Sequence, residues 1–186
     1  AFAKALAEIE DNFSSYRISE AFMRIYKLFW DDFSGWYLEM VKPAYGSPAD
    51  RKTIDATRHY FDMLMRLIHP FMPFVTEEIW QDLTPRAKGE SIMYAPAPAV
   101  EQWDEALLTR FELVKEAITD IRNVRKQKNI AQKQPLTLKV IADENYPAAY
   151  APVIVKMGNI SAIETVTEKD PAAAAFIVKT TQYFVP

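Results

Sequence analysis

The feature that most constrains this chain is a change of hydrophobic period at Gln134-Pro135. Ahead of it, apolar residues recur at helical spacing: Ile18, Phe22, Ile25 and Phe29; then Ile54, Thr57, Phe61, Leu64 and Ile68; then Leu107, Phe111, Val114, Ile118 and Ile121. Steps of three and four place each set on one face of a helix. Beyond it, 136–141, 162–166 and 175–185 are rich in β-branched and aromatic residues with partial alternation, which predicts strands. A helix over about 149–157 falls between the first two. The expectation is a mainly α protein: a helical bundle through 1–134, then a small α/β appendage over 135–186.

Breakers divide the bundle. Ser34-Gly35 is expected to interrupt the first long helix near Phe33, with Ser19 or Ser14-Ser15 capping its start. A second piece, 36–41, stops before Pro43, because the residue ahead of proline disfavours α geometry. Gly46-Ser47-Pro48 predicts a turn. The helix over 50–68 is ended by Pro70 and Pro73, and Pro73 suits the first turn of a short helix with Glu77 and Glu78 near its positive end. Pro85, Gly89, Pro96 and Pro98 make 84–102 an extended loop, and a last long helix spans about 104–128.

What the sequence lacks excludes much chemistry. With 0 Cys there is no thiolate zinc site, disulfide or catalytic thiol. The 4 glycines, Gly35, Gly46, Gly89 and Gly158, never approach GxGxxG or P-loop spacing, so no phosphate cradle of either kind is encoded. The 2 histidines, His59 and His69, are too few for HExxH or a three-histidine site. No apolar run reaches the ~20 residues that span a bilayer. The adjacent acid pairs Asp31-Asp32, Glu77-Glu78 and Asp143-Glu144 point about 100° apart on a helix and read as solvated charge. Asp55 lies one turn from His59, but no nucleophile stands near, so a helix-surface ion pair is the simpler reading.

The cations are more informative. The formal net charge is −3, yet between Ile121 and Gln134 stand Arg122, Arg125, Lys126, Lys128 and Lys133 with no acid among them. Arg122, Arg125, Lys126 and Asn129 follow i, i+3, i+4, i+7 and form one ridge. Guanidinium forks match phosphate oxygens, although cations at a helix C-terminus also complement its dipole. Aromatics cluster too: Phe29, Trp30, Phe33, Trp36 and Tyr37. Exposed rings of this kind stack on unpaired RNA bases, whereas at helical spacing most such stripes are core.

Four stretches resemble one family. Phe29-Trp30-Asp31-Asp32-Phe33-Ser34-Gly35-Trp36-Tyr37-Leu38-Glu39-Met40-Val41-Lys42-Pro43 is similar to a segment of valyl-tRNA synthetases. So are Leu67-Ile68-His69-Pro70-Phe71-Met72-Pro73-Phe74-Val75-Thr76-Glu77-Glu78-Ile79-Trp80-Gln81, then Glu90-Ser91-Ile92-Met93, then Ile121-Arg122-Asn123-Val124-Arg125 with Asn129-Ile130. The proline-broken helix alone fits isoleucyl and leucyl synthetases as well, whereas the Trp36–Glu39 run with Lys42-Pro43 favours valyl. The resemblance implies the anticodon-binding bundle of a class I aminoacyl-tRNA synthetase followed by its small α/β stem-contacting appendage, cut from a longer chain and ending before a C-terminal coiled coil. It implies no catalysis and no cofactor in this piece, ATP and Mg belonging to a catalytic domain elsewhere in the parent ligase. It implies valine tRNA and the rest of the parent chain as partners, and a monomeric, cytoplasmic setting without membrane. By analogy Trp36, Leu38 and Lys42 face the anticodon pocket, and Arg122, Arg125, Lys126 and Lys128 contact phosphates. Two departures are visible: Ala97-Pro98 where the family often has tryptophan-proline, and a more basic Lys126-Gln127-Lys128. A helical protein-interaction scaffold is the competing reading, supported by the acidic net charge.

Overall fold

A computed structural model describes residues 1–186 and divides into two compact units, Ala1–Trp103 and Asp104–Pro186. The first is helical: α1 (Phe2–Ser14), α2 (Ile18–Lys27), a π-helix (Leu28–Leu38), the single turn α3 (Glu39–Val41), α4 (Arg51–Ile68) and α5 (Pro73–Leu83), then a loop with one 3₁₀ turn at Ile92–Tyr94. Asp50 caps α4, its carboxylate accepting from the Thr53 backbone N–H at 2.9 Å, and Pro73 opens α5 as the sequence predicts. Ala5, Ile9, Ile25, Leu28, Phe33, Leu64, Met65, Trp80 and Ile92 form the core.

Three expectations for this unit are corrected. Ser34-Gly35 does not interrupt the chain: the backbone widens to i→i+5 bonding and runs on without a break through Leu38. No serine side chain caps α2, which starts after Arg17. Instead α1 ends in a Schellman arrangement, with Arg17 N–H bonding Asn12 C=O at 2.8 Å and Tyr16 N–H bonding Phe13 C=O at 3.0 Å. Tyr16 occupies the left-handed position of that motif, at φ 57. The buried face of α2 is set by Ala21 and Ile25 and continues in Leu28, while Ile18 and Phe22 stay partly exposed.

The second unit holds α6 (Glu105–Gln127), β1 (Leu136–Ile141), a 3₁₀ turn (Ala148–Tyr150), α7 (Ala151–Gly158), β2 (Ile160–Thr165), β3 (Ala174–Val178) and β4 (Thr181–Val185). The sheet order is β2-β1-β4-β3. β1 and β2 are parallel and joined through α7; β4 runs antiparallel to both β1 and β3. Leu136, Leu138 and Val140 alternate inward along β1. The compact units thus divide between Trp103 and Asp104, ahead of the change of period at 134, so that α6 packs with the sheet. The reason is visible in α6: Val114, Ala117, Ile118 and Ile121 are fully buried and the helix packs on α7 and β3. Gly158 permits the closest approach, since a Cβ there would lie 3.1 Å from Ile160 Cγ1 and 3.3 Å from Ile121 Cδ1.

Candidate functional site

Each unit carries one candidate surface. In the first, the chain leaving the π-helix passes along α4 and leaves an open groove of about 640 Å³. Its walls are mostly apolar, with Phe33, Leu38, Val41 and Pro43 on one side and Ile54 and Phe61 of α4 on the other. Lys42, Glu39, Thr53 and Arg58 give it a few polar groups, the composition common to small-molecule and base pockets. Of the three residues assigned to an anticodon pocket by resemblance, Leu38 and Lys42 line this groove, whereas Trp36 is half-buried and is not among the lining residues. The Lys42 ammonium lies 3.4 Å from the Glu39 carboxylate.

The π-helix is fixed by its rings. Phe33 stacks between Tyr37 (5.4 Å) and Phe61 (6.0 Å), and Tyr37 meets Tyr60 edge-on at 5.7 Å. The Tyr37 hydroxyl reaches the Thr57 hydroxyl at 3.2 Å, and Thr57 Oγ1 donates to the Thr53 carbonyl at 2.7 Å. Long π stretches are rare and concentrate at functional positions. Here the wider turn brings Phe33 and Tyr37 inward together and delivers Leu38 to the groove rim. Sequence reasoning missed Thr53 and Arg58: they lie on the α4 wall, in a stretch without family motif or charge run to mark it.

In the second unit the predicted basic ridge is split. Arg122, Lys126 and Lys128 are exposed, as is Lys133. Arg125 is 1% exposed and cannot contact phosphate as predicted. Its Nη1 donates to the carbonyls of Ala131 (3.0 Å) and Gln134 (2.7 Å), and its Nη2 to those of Gly158 (3.1 Å) and Asn159 (2.9 Å). No carboxylate joins it. The acceptors at Gly158 and Asn159 are the C-terminal end of α7, whose dipole offsets part of the buried charge. Burial pulls the guanidinium below the ordinary arginine pKa, and Nε is left without a partner. The physical cause of the misassignment is helix phase, because Arg125 continues the buried line of Val114, Ile118 and Ile121.

Elsewhere Glu77 organises the start of the loop after α5. Its carboxylate accepts from Gln81 Nε2 (2.6 Å), Ser91 Oγ (2.8 Å) and the Ile92 N–H (3.0 Å), bonds that hold it below the usual carboxylate range, Gln81 contributing most. The acid pair is thus a structural anchor at Glu77 and surface charge at Glu78. No group of three or more His, Asp or Glu side chains is placed to hold a metal ion, and no helix is long and apolar enough to cross a membrane.

A helical unit with an aromatic-walled groove, followed by a helix whose end carries outward cations beside a small sheet, fits the family that the comparisons find. Residues 1–142 match the description "anticodon-binding domain of tRNA ligase", and the chain belongs to that family. It is 52% identical over 183 residues to the valine–tRNA ligase of Parabacteroides distasonis, covering 98% of this chain and 21% of that protein. Against the valine–tRNA ligase of Phocaeicola vulgatus identity is 50%, over 99% of this chain and 21% of the relative. Against that of Enterococcus faecalis it is 37%, over 74% and 16%. The chain spans about a fifth of the length of the first two relatives.

Proposed function

We propose that this chain binds the anticodon arm of valine tRNA on behalf of a valine–tRNA ligase, and that it recognises its RNA while a catalytic region of the longer ligase, using ATP and Mg²⁺, attaches valine. The observation that carries the reading is identity near 50% along nearly the whole chain to proteins named valine–tRNA ligase. In this reading the groove rimmed by Leu38 and Lys42 takes an unstacked anticodon base, with Trp36 beside it. Bases splayed from a loop are read by stacking and edge hydrogen bonds, while phosphate contacts set position. Lys126, Lys128 and Arg122 supply the phosphate contacts. The working protein is a cytoplasmic monomer.

The test is binding of a valine tRNA transcript to this chain across a salt series. Affinity is expected to fall with salt, with a slope of about 0.7 to 0.9 per phosphate contact. Leu38→Asp is expected to weaken binding with little change of that slope, because it alters a base pocket. Affinity indifferent to both salt and Leu38→Asp sinks the proposal and favours a protein-interaction scaffold.

A further inference from the structure

The segment that follows α6 is held from the inside. Ile130 N–H bonds the Arg125 carbonyl at 2.8 Å and Asn129 N–H the Lys126 carbonyl at 3.3 Å, closing a Schellman motif with Asn129 left-handed at φ 54. Three of the carbonyls that come next are each taken by a side chain from beneath: Ala131 and Gln134 by Arg125, Gln132 by Asn159 Nδ2 at 2.8 Å. Asn159 is itself left-handed, at φ 51, as the C-cap of α7. Meanwhile Lys126, Lys128 and Lys133 on the same segment are exposed and form no ion pair. The chain of a loop normally spends its freedom in solution, and ordering it on binding opposes affinity. Here the ordering is done beforehand, by a fork that grips both the loop and the end of α7.

We propose that Arg125 is a positioning residue for RNA phosphates: buried beneath the 126–134 segment, it fixes that backbone so that Lys126, Lys128 and Lys133 present their ammonium groups as one preformed seat for the phosphodiester chain. This rests on the reading of the segment as a phosphate contact and extends it to Lys133 and to a residue that touches no RNA. Lysine at position 125 keeps the charge but has neither the fork nor enough donors for four carbonyls. Asn159→Ala frees the Gln132 carbonyl and adds the local strain of a left-handed alanine at the end of α7, so it is the milder version of the same change provided the fold check is passed.

The experiment compares the wild-type chain, Arg125→Lys, Asn159→Ala, the triple variant Lys126→Gln/Lys128→Gln/Lys133→Gln, and that triple combined with each single change. All are titrated with a valine tRNA transcript over a salt series, with circular dichroism confirming the fold. Arg125→Lys is expected to bind about tenfold more weakly, with a salt slope shallower by roughly 0.7 to 0.9 for each phosphate no longer engaged. Asn159→Ala is expected to do the same to a smaller degree. In the triple background neither change lowers affinity further, since the groups they position are gone. Wild-type affinity and slope in both singles, while the triple variant is weakened, overturn the positioning role and leave the phosphate seat itself standing. A loss that is as large in the triple background as in the wild type also overturns it, by showing a general effect on the fold. Wild-type binding by the triple variant instead removes the phosphate seat on which the proposal rests. Should Arg125→Lys fail to fold, Asn159→Ala decides by the same criteria.

Discussion

The two candidate surfaces use residues of opposite habit to the same end. In the π-helix, five aromatic rings and two acids fall within nine residues, and the rings mostly serve as internal fixings: Phe33 and Tyr37 lock the segment to α4 so that Leu38 and Lys42 reach a groove. At the end of α6, five cations fall in one stretch, and one of them, Arg125, serves as the internal fixing for the others. In both regions a side chain typical of nucleic-acid contact has been turned inward to hold the ones that remain outside. Residue type nominates a surface; the phase of the helix decides which members of it face the solvent.

The strongest way to break this comparison is to remove the inner member of the basic set. Arg125→Met deletes four charge-assisted hydrogen bonds, one of them to the buried Gly158 carbonyl, while the Ala131 and Asn159 carbonyls keep backbone donors from Gln134 and Leu136. With bonds to charged groups worth about 1.5–3 kcal/mol each before water replaces some of them, a net loss of ~3 kcal/mol in urea unfolding is expected. If the loss is below about 1 kcal/mol, water has replaced the fork and the contrast between inner and outer cations fails. The corresponding change beside the π-helix is milder: Thr57→Val deletes the hydroxyl facing Tyr37 and should lower stability by about 1 kcal/mol, read in the same assay. Tyr16→Gly should move the other way. A tyrosine at φ 57 is strained where glycine is not, and its ring is 90% exposed, so removing it should raise stability by about 0.5–1 kcal/mol. A fall instead would reveal packing by Tyr16 at the α1–α2 corner.

A smaller effect concerns pH. The folded pKa of Glu77 is lowered, so its contribution to stability is complete above the unfolded value near 4.5 and disappears as pH falls through the lower folded value. Glu77→Gln should therefore flatten the acid side of the stability curve, below about pH 5, as followed by thermal melts at stepped pH. Least of all in stability, within about 0.5 kcal/mol of wild type, should be the triple lysine-to-glutamine variant. Outer cations that move RNA affinity and not the melting temperature, set against an inner one that moves both, would state the division most sharply.

Much of the fold was legible because its punctuation is local. The helical stripe over 50–68 announces α4, Pro73 announces α5, and the shift to β-branched alternation after Pro135 announces β1. What escaped depends on geometry that pattern alone does not carry. Gly35 reads as a breaker, yet in the wider turn its missing Cβ only leaves ordinary room beside the Trp30 carbonyl, 3.4 Å from where the Cβ would sit. Ile18 and Phe22 have the spacing of a buried face, but the small Ala21 lies at the true contact and turns that face aside. Arg125 was legible in principle: extending Val114, Ile118 and Ile121 by one further step of four lands on it. Its charge argued for the surface more loudly than its phase argued for the core. For the groove, Leu38 and Lys42 came from a motif, whereas Thr53 and Arg58 needed the packing of α4 to be seen.

The sheet order has a consequence for how the molecule is made. In the helical unit, α1 packs on α2 and α4 on α5, neighbours in sequence, so such contacts can form as soon as each pair exists. In the second unit β1 waits: its parallel neighbour arrives only after α7, and its antiparallel one pairs Lys139 with Phe184. Pairings that distant slow folding, because the loop must close before the contacts reward it. Until β4 docks, the inward residues of β1 lack one of their two flanking strands, although Arg125 and the end of α7 can already hold the basic segment. A ribosome translating this region would release a finished helical unit first, and the sheet behind the cationic segment would be complete only when β4 slides into the gap between β1 and β3.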